Sequence, residues 1–226
     1  MKKKLLIKYK FLLKIYLYYY YFKFNFFSKK TYSQFGEDII IIKYFKNFIG
    51  KYVDIGCYHP IKYSNTALLY KKGWTGINID LNKTTIDLFN FTRLRDKNIF
   101  ACLSDREKIV DMYIDNEFSA LNSIYKNNIK NHKIKKYQKI KINTKVFSNV
   151  VKEKFDFLNI DCEGDDYNIL KTIDLKKFNP KIICIEVSEK NKNIIYKYLN
   201  ANHYKLLTIR SLSHIFKYTK KVENKF

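Results

Sequence analysis

Short apolar runs alternate with amphipathic stretches along most of this chain, and most of the runs end on an acidic residue. Residues 51–82 show the pattern best. Tyr52 and Val53 lead into Asp54, and Gly56 lets the backbone turn there. Ser64 and Asn65 are placed to cap a helix through Leu68, Leu69 and Tyr70, which Gly73 stops. A second strand, Trp74 to Ile79, ends at Asp80. Two apolar strands joined by a helical crossover form a right-handed parallel βαβ unit. Beyond it the spacing predicts a helix over 84–91, a third strand over 98–103 ending at Ser104-Asp105, and a fourth over 155–160 ending at Asp161. A helix over 167–176 follows, then a fifth strand over 182–187 with Glu186 near its end, and a helix over 191–199. Residues 203–209 and 214–218 read as two strands turning back through Arg210-Ser211-Leu212-Ser213. This order predicts one α/β domain, its sheet mostly parallel with a C-terminal antiparallel hairpin. Residues 106–150 break the rhythm. Ile109 to Ile114 alternates as a strand and Ile140 to Asn143 does so weakly; Ser119 to Ser123 and a Lys/Asn-rich run between them read as an exposed insertion suited to acceptor contacts.

In such sheets ligands bind beyond the carboxyl ends of the strands, where Asp54, Gly56 and Asp80 gather. A dinucleotide site needs glycines that let a pyrophosphate approach bare backbone. Here the turn is Asp54-Ile55-Gly56-Cys57-Tyr58-His59, with one glycine followed by bulky side chains. A nucleoside with a cationic amino-acid tail fits better. It asks for a single close approach, at Gly56, and for carboxylates, with Asp80 placed to accept both ribose hydroxyls; S-adenosylmethionine is such a ligand. Asp105, at the third strand tip, is placed to meet an adenine amino group.

Composition narrows the setting. The 226 residues carry 44 Lys+Arg against 21 Asp+Glu, a formal net charge of +23, which would attract nucleic acid, acidic glycans or anionic lipid headgroups. The lysines are spread along the chain, however, as a compositional bias would leave them. Cys57, Cys102, Cys162 and Cys184 form no C-x-x-C pair and read as small buried hydrophobes of a reducing cytoplasm.

Residues 1–27 form a separate basic, aromatic segment ahead of a domain over 28–226. Lys8, Lys10 and Lys14 interrupt any signal-peptide core, and the uncharged run from Ile15 to Phe22 is far too short to span a bilayer. The segment suits the surface of an anionic membrane, at its cytoplasmic face, or a helix packed on the domain's own sheet. Next, Ser33 with Glu37 and Asp38 marks a helix start that runs into the first strand, so Glu37 is a candidate to contact the same ligand.

By these residues the chain resembles the FkbM-type S-adenosylmethionine-dependent methyltransferases. The likeness runs through Tyr32-Ser-Gln-Phe-Gly-Glu-Asp38, Tyr52-Val-Asp-Ile-Gly56 with Pro60 and Ser64-Asn-Thr66, Gly73-Trp-Thr-Gly-Ile77 with Asp80, Leu103-Ser-Asp105, and Phe157-Leu-Asn-Ile-Asp-Cys-Glu-Gly164, in that order. It implies a class I, Rossmann-like sheet and methyl transfer, generally to the oxygen of a sugar, glycan or small-molecule acceptor. It also implies that Asp54, Gly56 and Cys57 form the cofactor loop, Asp80 the ribose contact and Asp105 the adenine contact. Cys57 and His59 depart from the glycine-rich loop of methyltransferases generally. A hydroxyl needs a base near its attack. Asp161, Glu163 and Glu186 are the candidates, by raised pKa or by holding a divalent cation, with His59 as a further base. Competing readings are an RNA methyltransferase or nucleic-acid binder, for which no RNA-binding motif speaks, and a membrane-surface scaffold with a degenerate pocket. The sequence carries nothing on oligomeric state.

Overall fold

The computed structural model describes residues 10–116, 119–127 and 133–219. The lysine-rich start of the N-terminal segment (1–9) and part of the Lys/Asn-rich run (128–132) lie outside them. Helix α1 (Lys10–Phe26) precedes α2 (Glu37–Phe45), β1 (Lys51–Ile55), α3 (Ala67–Lys71), β2 (Thr75–Asp80), α4 (Lys83–Thr92) and β3 (Lys97–Phe100). The short β4 (Cys102–Leu103), β5 (Ile109–Ile114), β6 (Gln138–Lys145) and α5 (Phe147–Val150) follow. The chain ends with β7 (Phe157–Ile160), α6 (Asp166–Leu170), α7 (Leu175–Phe178), β8 (Ile182–Glu186), α8 (Lys192–Ala201), β9 (Tyr204–Arg210) and β10 (Ser213–Tyr218).

Seven strands form one sheet in the order β3-β2-β1-β7-β8-β10-β9. All are parallel except β10, which runs antiparallel to both β8 and β9. The α/β expectation holds, including the C-terminal hairpin, whose second strand slots inside the first. Order reverses between β1 and β7, the switch point where ligands of such sheets sit.

The central strands are apolar on both faces because helices cover both. One face carries Val53, Ile55, Ile79, Leu158, Ile160, Ile183 and Ile185 into the larger core. The other carries Tyr52, Phe157, Ile182 and Cys184. Side chains alternate along a strand, so that second face also receives Asp54, Asn78 and Asn159. The register aligns them: Asp54 lies beside Asn78 on β2 and Asn159 on β7. Three polar side chains are thus buried in one row across the sheet.

Through Thr66 and Asp96 this row is tied to a fully buried cation. Arg93, just after α4, donates to Thr66 Oγ1 (2.7 Å), Ser64 Oγ (2.8 Å), the Pro60 carbonyl (2.7 Å) and the Tyr52 hydroxyl (3.3 Å). Its charge is balanced by buried Asp96 at 3.9 Å. Asp96 in turn accepts from the Tyr52 hydroxyl, the Gly76 N–H (2.8 Å) and the Asn78 amide (3.0 Å). Thr66 passes the chain on to Asp54 (2.6 Å), which also accepts from Asn159 (2.8 Å).

The third predicted strand is in fact two. Ala101 still donates to the Asp80 carbonyl (3.0 Å), but the backbone then leaves the main sheet and β4 pairs in parallel with β6. The weak strand signals over 109–114 and 140–143 are β5 and β6, an antiparallel pair that completes this small second sheet.

Removing the cation should unfold the molecule readily. Arg93→Met leaves Asp96 buried and unpaired, and we expect a loss of about 3–5 kcal/mol in urea or guanidinium unfolding. Arg93→Met with Asp96→Asn should lose less than the two single losses added. Additive losses would mean that the two charges do not depend on each other.

Candidate active site

Beyond the carboxyl ends of β1, β2 and β7 lies a cleft in two halves. The first, about 600 Å³, is largely apolar, walled by Ile79, Leu81, Ala101, Leu103 and Ile124, with Asp80 at one side and Asp165 at the other. The second, about 670 Å³, is polar and takes in Gln34, Glu37, Asp54, Asn65 and Ser213. Gly56, Tyr58, Ala120, Asp161 and Glu163 line both, so the halves are continuous.

Gly56 is required here for a reason other than ligand approach. Its φ is +75°, and a Cβ at this position would lie 1.7 Å from the Asp161 carbonyl oxygen. The tips of β1 and β7 touch at this point. Cys57 is buried, lines the polar half, and its thiol is pushed well up by burial. Tyr58 (φ 50°), Tyr63 (φ 52°) and Glu163 (φ 52°) also line the cleft in the left-handed region, and non-glycine residues held there concentrate at functional sites.

Asp80 is half-buried, and burial raises its pKa to about 6. Its two oxygens accept the Tyr58 N–H (2.9 Å) and the Asn82 N–H (2.7 Å). Each oxygen of a carboxylate has a second lone pair, so these bonds orient the group without exhausting it. Asp54 is buried with its pKa raised, and Thr66 and Asn159 hold its oxygens against the cleft floor. Glu37 is buried on the polar half, accepting the Phe35 N–H (2.8 Å), while Asp38 closes the helix start by accepting from Thr31, Tyr32 and Ser33.

Asp161 stands at the junction of the halves. Its depth and the Glu186, Asp166 and Glu163 carboxylates hold its pKa well above the carboxylate range. Much of its surface is open to the cleft all the same. Water entering there weakens the shift without reversing it, because the neighbouring charges remain. Glu186, the last residue of β8, lies outside the lining, its pKa raised to about 8 by burial, Asp166 and Glu163. Asp166 is raised to about 6 by burial and is held by the N–H groups of Cys162 (2.8 Å) and Gly164 (3.1 Å), which fold the loop between them. Among the described residues, no three His, Cys, Asp or Glu side chains are grouped to hold a metal ion, so Asp161, Glu163 and Glu186 do not form the cation site considered from sequence.

Two expected residues lie elsewhere. His59 is buried outside the cleft: its Nδ1 accepts the Ile61 and Lys62 N–H groups (3.0 and 3.2 Å), and its ring meets the edge of Tyr20 on α1. It folds the loop rather than facing the site. Asp105 follows β4 out of the main sheet and pairs with Lys108 (3.4 Å) and Lys171 (3.5 Å); desolvation, the largest single effect, pushes its pKa up, but the two lysines together outweigh it and the net shift is downward. One residue was missed. Asp165, 2% exposed, accepts from Tyr125 (2.5 Å) and Asn168 (2.8 Å) at Oδ1, while its Oδ2 is buried with no hydrogen-bond partner among the described residues. The signal was the acid pair Asp165-Asp166 where one acid suffices to begin a helix.

Residues 54–211 match the methyltransferase FkbM domain. The chain belongs to the FkbM methyltransferase family. Its fold is that of class I methyltransferases, in keeping with the solved methyltransferase FkbM from Methylobacillus flagellatus KT (12% identity, TM-score 0.51), which covers 75% of this chain. This chain spans 44% of that protein's length. Looser likenesses are the ribosomal protein L11 methylase of Lactobacillus delbrueckii subsp. bulgaricus (8% identity, 81% of this chain and 78% of that one, TM-score 0.49) and the Burkholderia thailandensis 1,6-didemethyltoxoflavin-N1-methyltransferase. The latter (11% identity, 81% and 77%, TM-score 0.45) was solved with 1,6-didemethyltoxoflavin and S-adenosylhomocysteine bound. Among curated proteins, no sequence matches.

The acid cluster should make stability fall as pH rises. Glu186 in the folded protein stays protonated until about pH 8, whereas in the unfolded chain it ionises near its ordinary value of 4.5. The stabilisation is full below the lower value and is lost as pH climbs to the upper one. Thermal melts from pH 5 to 8 should show Tm declining in the wild type and declining less in Glu186→Gln. Parallel curves for the two proteins would remove Glu186 from the cluster.

Proposed function

We propose that this chain transfers the methyl group of S-adenosylmethionine to a hydroxyl of a sugar or glycan, with Asp161 as general base. The observation that carries the reading is electrostatic. In a chain of net charge +23, the cleft gathers Asp54, Asp80, Asp161, Glu163 and Asp165. Such a site favours a cationic ligand and repels a phosphate backbone at its floor, which speaks against RNA as the acceptor in spite of the basic surface.

The residues fit the nucleoside and its tail. The apolar half is shaped for adenosine, with Asp80 offering its remaining lone pairs to ribose hydroxyls. The buried, unpartnered Oδ2 of Asp165 supplies the acceptor for the adenine amino group that Asp105 was expected to be. Bound there, S-adenosylmethionine supplies an electrophilic methyl group. The protein's own work is to align the acceptor and take its proton. Asp161 lines both halves and opens to the cleft, which places it to take the acceptor's proton, and its raised pKa makes it a stronger base than an ordinary carboxylate. Glu186, Asp166 and Glu163 act on that pKa through their charge. In the polar half, Gln34, Asn65 and Ser213 offer hydrogen bonds, and Tyr58 and Tyr63, 14° from parallel, offer faces for a sugar ring.

Calorimetry with S-adenosylmethionine tests the first part. Wild type should bind, and Asp80→Ala should bind at least ~100-fold more weakly, the worth of two charge-assisted hydrogen bonds. No binding by the wild type, or equal binding by both, would sink the cofactor assignment. Against a panel of glycan acceptors, Asp161→Asn should keep cofactor affinity within a few fold and lower kcat by about 10²-fold or more. Turnover unchanged by that substitution would leave Asp161 a structural residue.

A further inference from the structure

Helix α1 is amphipathic in an unusual sense, with aromatic residues on both of its faces. Its inner face is docked. Tyr20 and Phe24 are buried with Tyr32, Ile61, Ala67, Tyr70 and Leu88, and Lys71 closes the helix end on the Phe24 and Phe27 carbonyls. Its outer face is open. With about 3.6 residues per turn, Ile15, Tyr19, Phe22 and Phe26 share one side, opposite Tyr20 and Phe24, and Tyr18 flanks them. All five are at least half exposed, Phe26 at 68%, and Phe22 stacks on Phe26 at 4.2 Å. A soluble surface has no use for such a row, which marks an interaction face.

We propose that this outer face seats the protein on an anionic bilayer surface. Charge selects the occupant. No acidic residue occurs between Met1 and Gly36, whereas seven lysines fall within the first 23 residues, and Lys29 and Lys30 follow, exposed. Lys23 lies over the Tyr19 ring at 5.2 Å, beside the aromatic row. Rings flanked by lysines suit the interface between acyl chains and anionic headgroups. A second copy of the chain would bring two lysine-rich, acid-free segments together across a two-fold contact. The helix lies on the bilayer and does not cross it: at 17 residues it is about 25 Å long, short of a ~30 Å hydrocarbon core, and no helix among the described residues is long and apolar enough to cross.

The docked face ties this seat to the cleft. Tyr20 packs on His59 at 4.8 Å, and Lys62 lies over the Tyr20 ring; the adjoining Tyr58 and Tyr63 wall the polar half. The acceptor half therefore stands one side chain away from α1. The bilayer seat stands without the methyl-transfer reading; what rests on that reading is its consequence, that the hydroxyl acceptor is presented at the membrane surface.

Co-sedimentation of the full chain with phosphatidylcholine vesicles, with and without phosphatidylglycerol, at low and high salt, tests the seat. The wild type should pellet with the anionic vesicles at low salt and be released by high salt. Tyr19→Ser/Phe22→Ser/Phe26→Ser, confined to the outer face, should bind at least about tenfold more weakly while binding S-adenosylmethionine as the wild type does. No pelleting at low salt, or equal pelleting of the two proteins, overturns the proposal. So does a wild-type dimer that the triple substitution renders monomeric without any vesicle binding, or retention on RNA in place of vesicles. If vesicles hold the protein but S-adenosylmethionine does not bind, the methyl-transfer reading fails and the seat survives.

Discussion

The structure hangs on a positive charge with no access to water. Arg93 has 0% of its surface exposed, and an isolated guanidinium in that position would be prohibitive. Every contact that makes it tolerable is therefore obligatory, and those contacts come from three different parts of the chain. Pro60, Ser64 and Thr66 bring the loop after β1; Tyr52 brings β1 itself; Asp96 brings the approach to β3, tied in turn to Gly76 and Asn78 on β2. Through Thr66 the same network fixes Asp54 on the cleft floor. The loop that walls the polar half of the cleft is thus anchored from below by a buried ion, and the site inherits its rigidity from the core.

A second electrostatic arrangement opposes the first. Beneath the sheet's tips a cation is surrounded by neutral dipoles and one carboxylate; above them, acids crowd together. Burial and mutual repulsion raise Asp161, Glu186 and Asp166 together. A cationic ligand entering the cleft would relieve that repulsion and release protons. That mutual repulsion is thus a source of affinity for a ligand of the right sign.

Much of this was legible in the chain. Strand–helix alternation gave the sheet, and acids at strand ends gave Asp54, Asp80 and Asp161 their places along the cleft. What escaped has physical reasons. Asp105 was read as the tip of a third strand because an apolar run from Ile99 to Leu103 conceals the bend at Ala101, and one-dimensional patterning cannot show which sheet a strand's end joins. His59 was read as a base from its residue type, but a short loop with unsatisfied N–H groups at Ile61 and Lys62 had a prior claim on its ring nitrogen. Arg93 drew no notice, since nothing in a lysine-rich sequence marks one arginine as buried. A signal did exist: Asp54, Asn78 and Asn159 are each followed by one more apolar strand residue, Ile55, Ile79 and Ile160, which keeps them inside the sheet. Polar residues in that position must find buried partners, and a row of three predicts a network.

Gly56 bears on how the cofactor loop should be understood. In a glycine-rich phosphate loop the missing Cβ atoms leave room for the ligand. Here the room is taken by the protein itself, for the Asp161 carbonyl lies where the Cβ would be, and the Asp161 N–H donates to the Ile55 carbonyl at 3.0 Å. The two strand tips are clasped, and the cleft floor between its halves is solid backbone. A single glycine suffices because only one close approach has to be made, and it is made by β7. The Cys57, Tyr58 and His59 that follow are then no obstacle, since Cys57 packs beside Ile86 and Phe89 at the edge of the polar half, His59 meets Tyr20, and Tyr58 turns its N–H to Asp80. Asp161 and Glu163 are the carboxylates that line both halves, and Asp161 is the one whose own backbone makes the clasp. The constraint that closes the sheet's central gap therefore also fixes the backbone of a carboxylate that stands between the two halves.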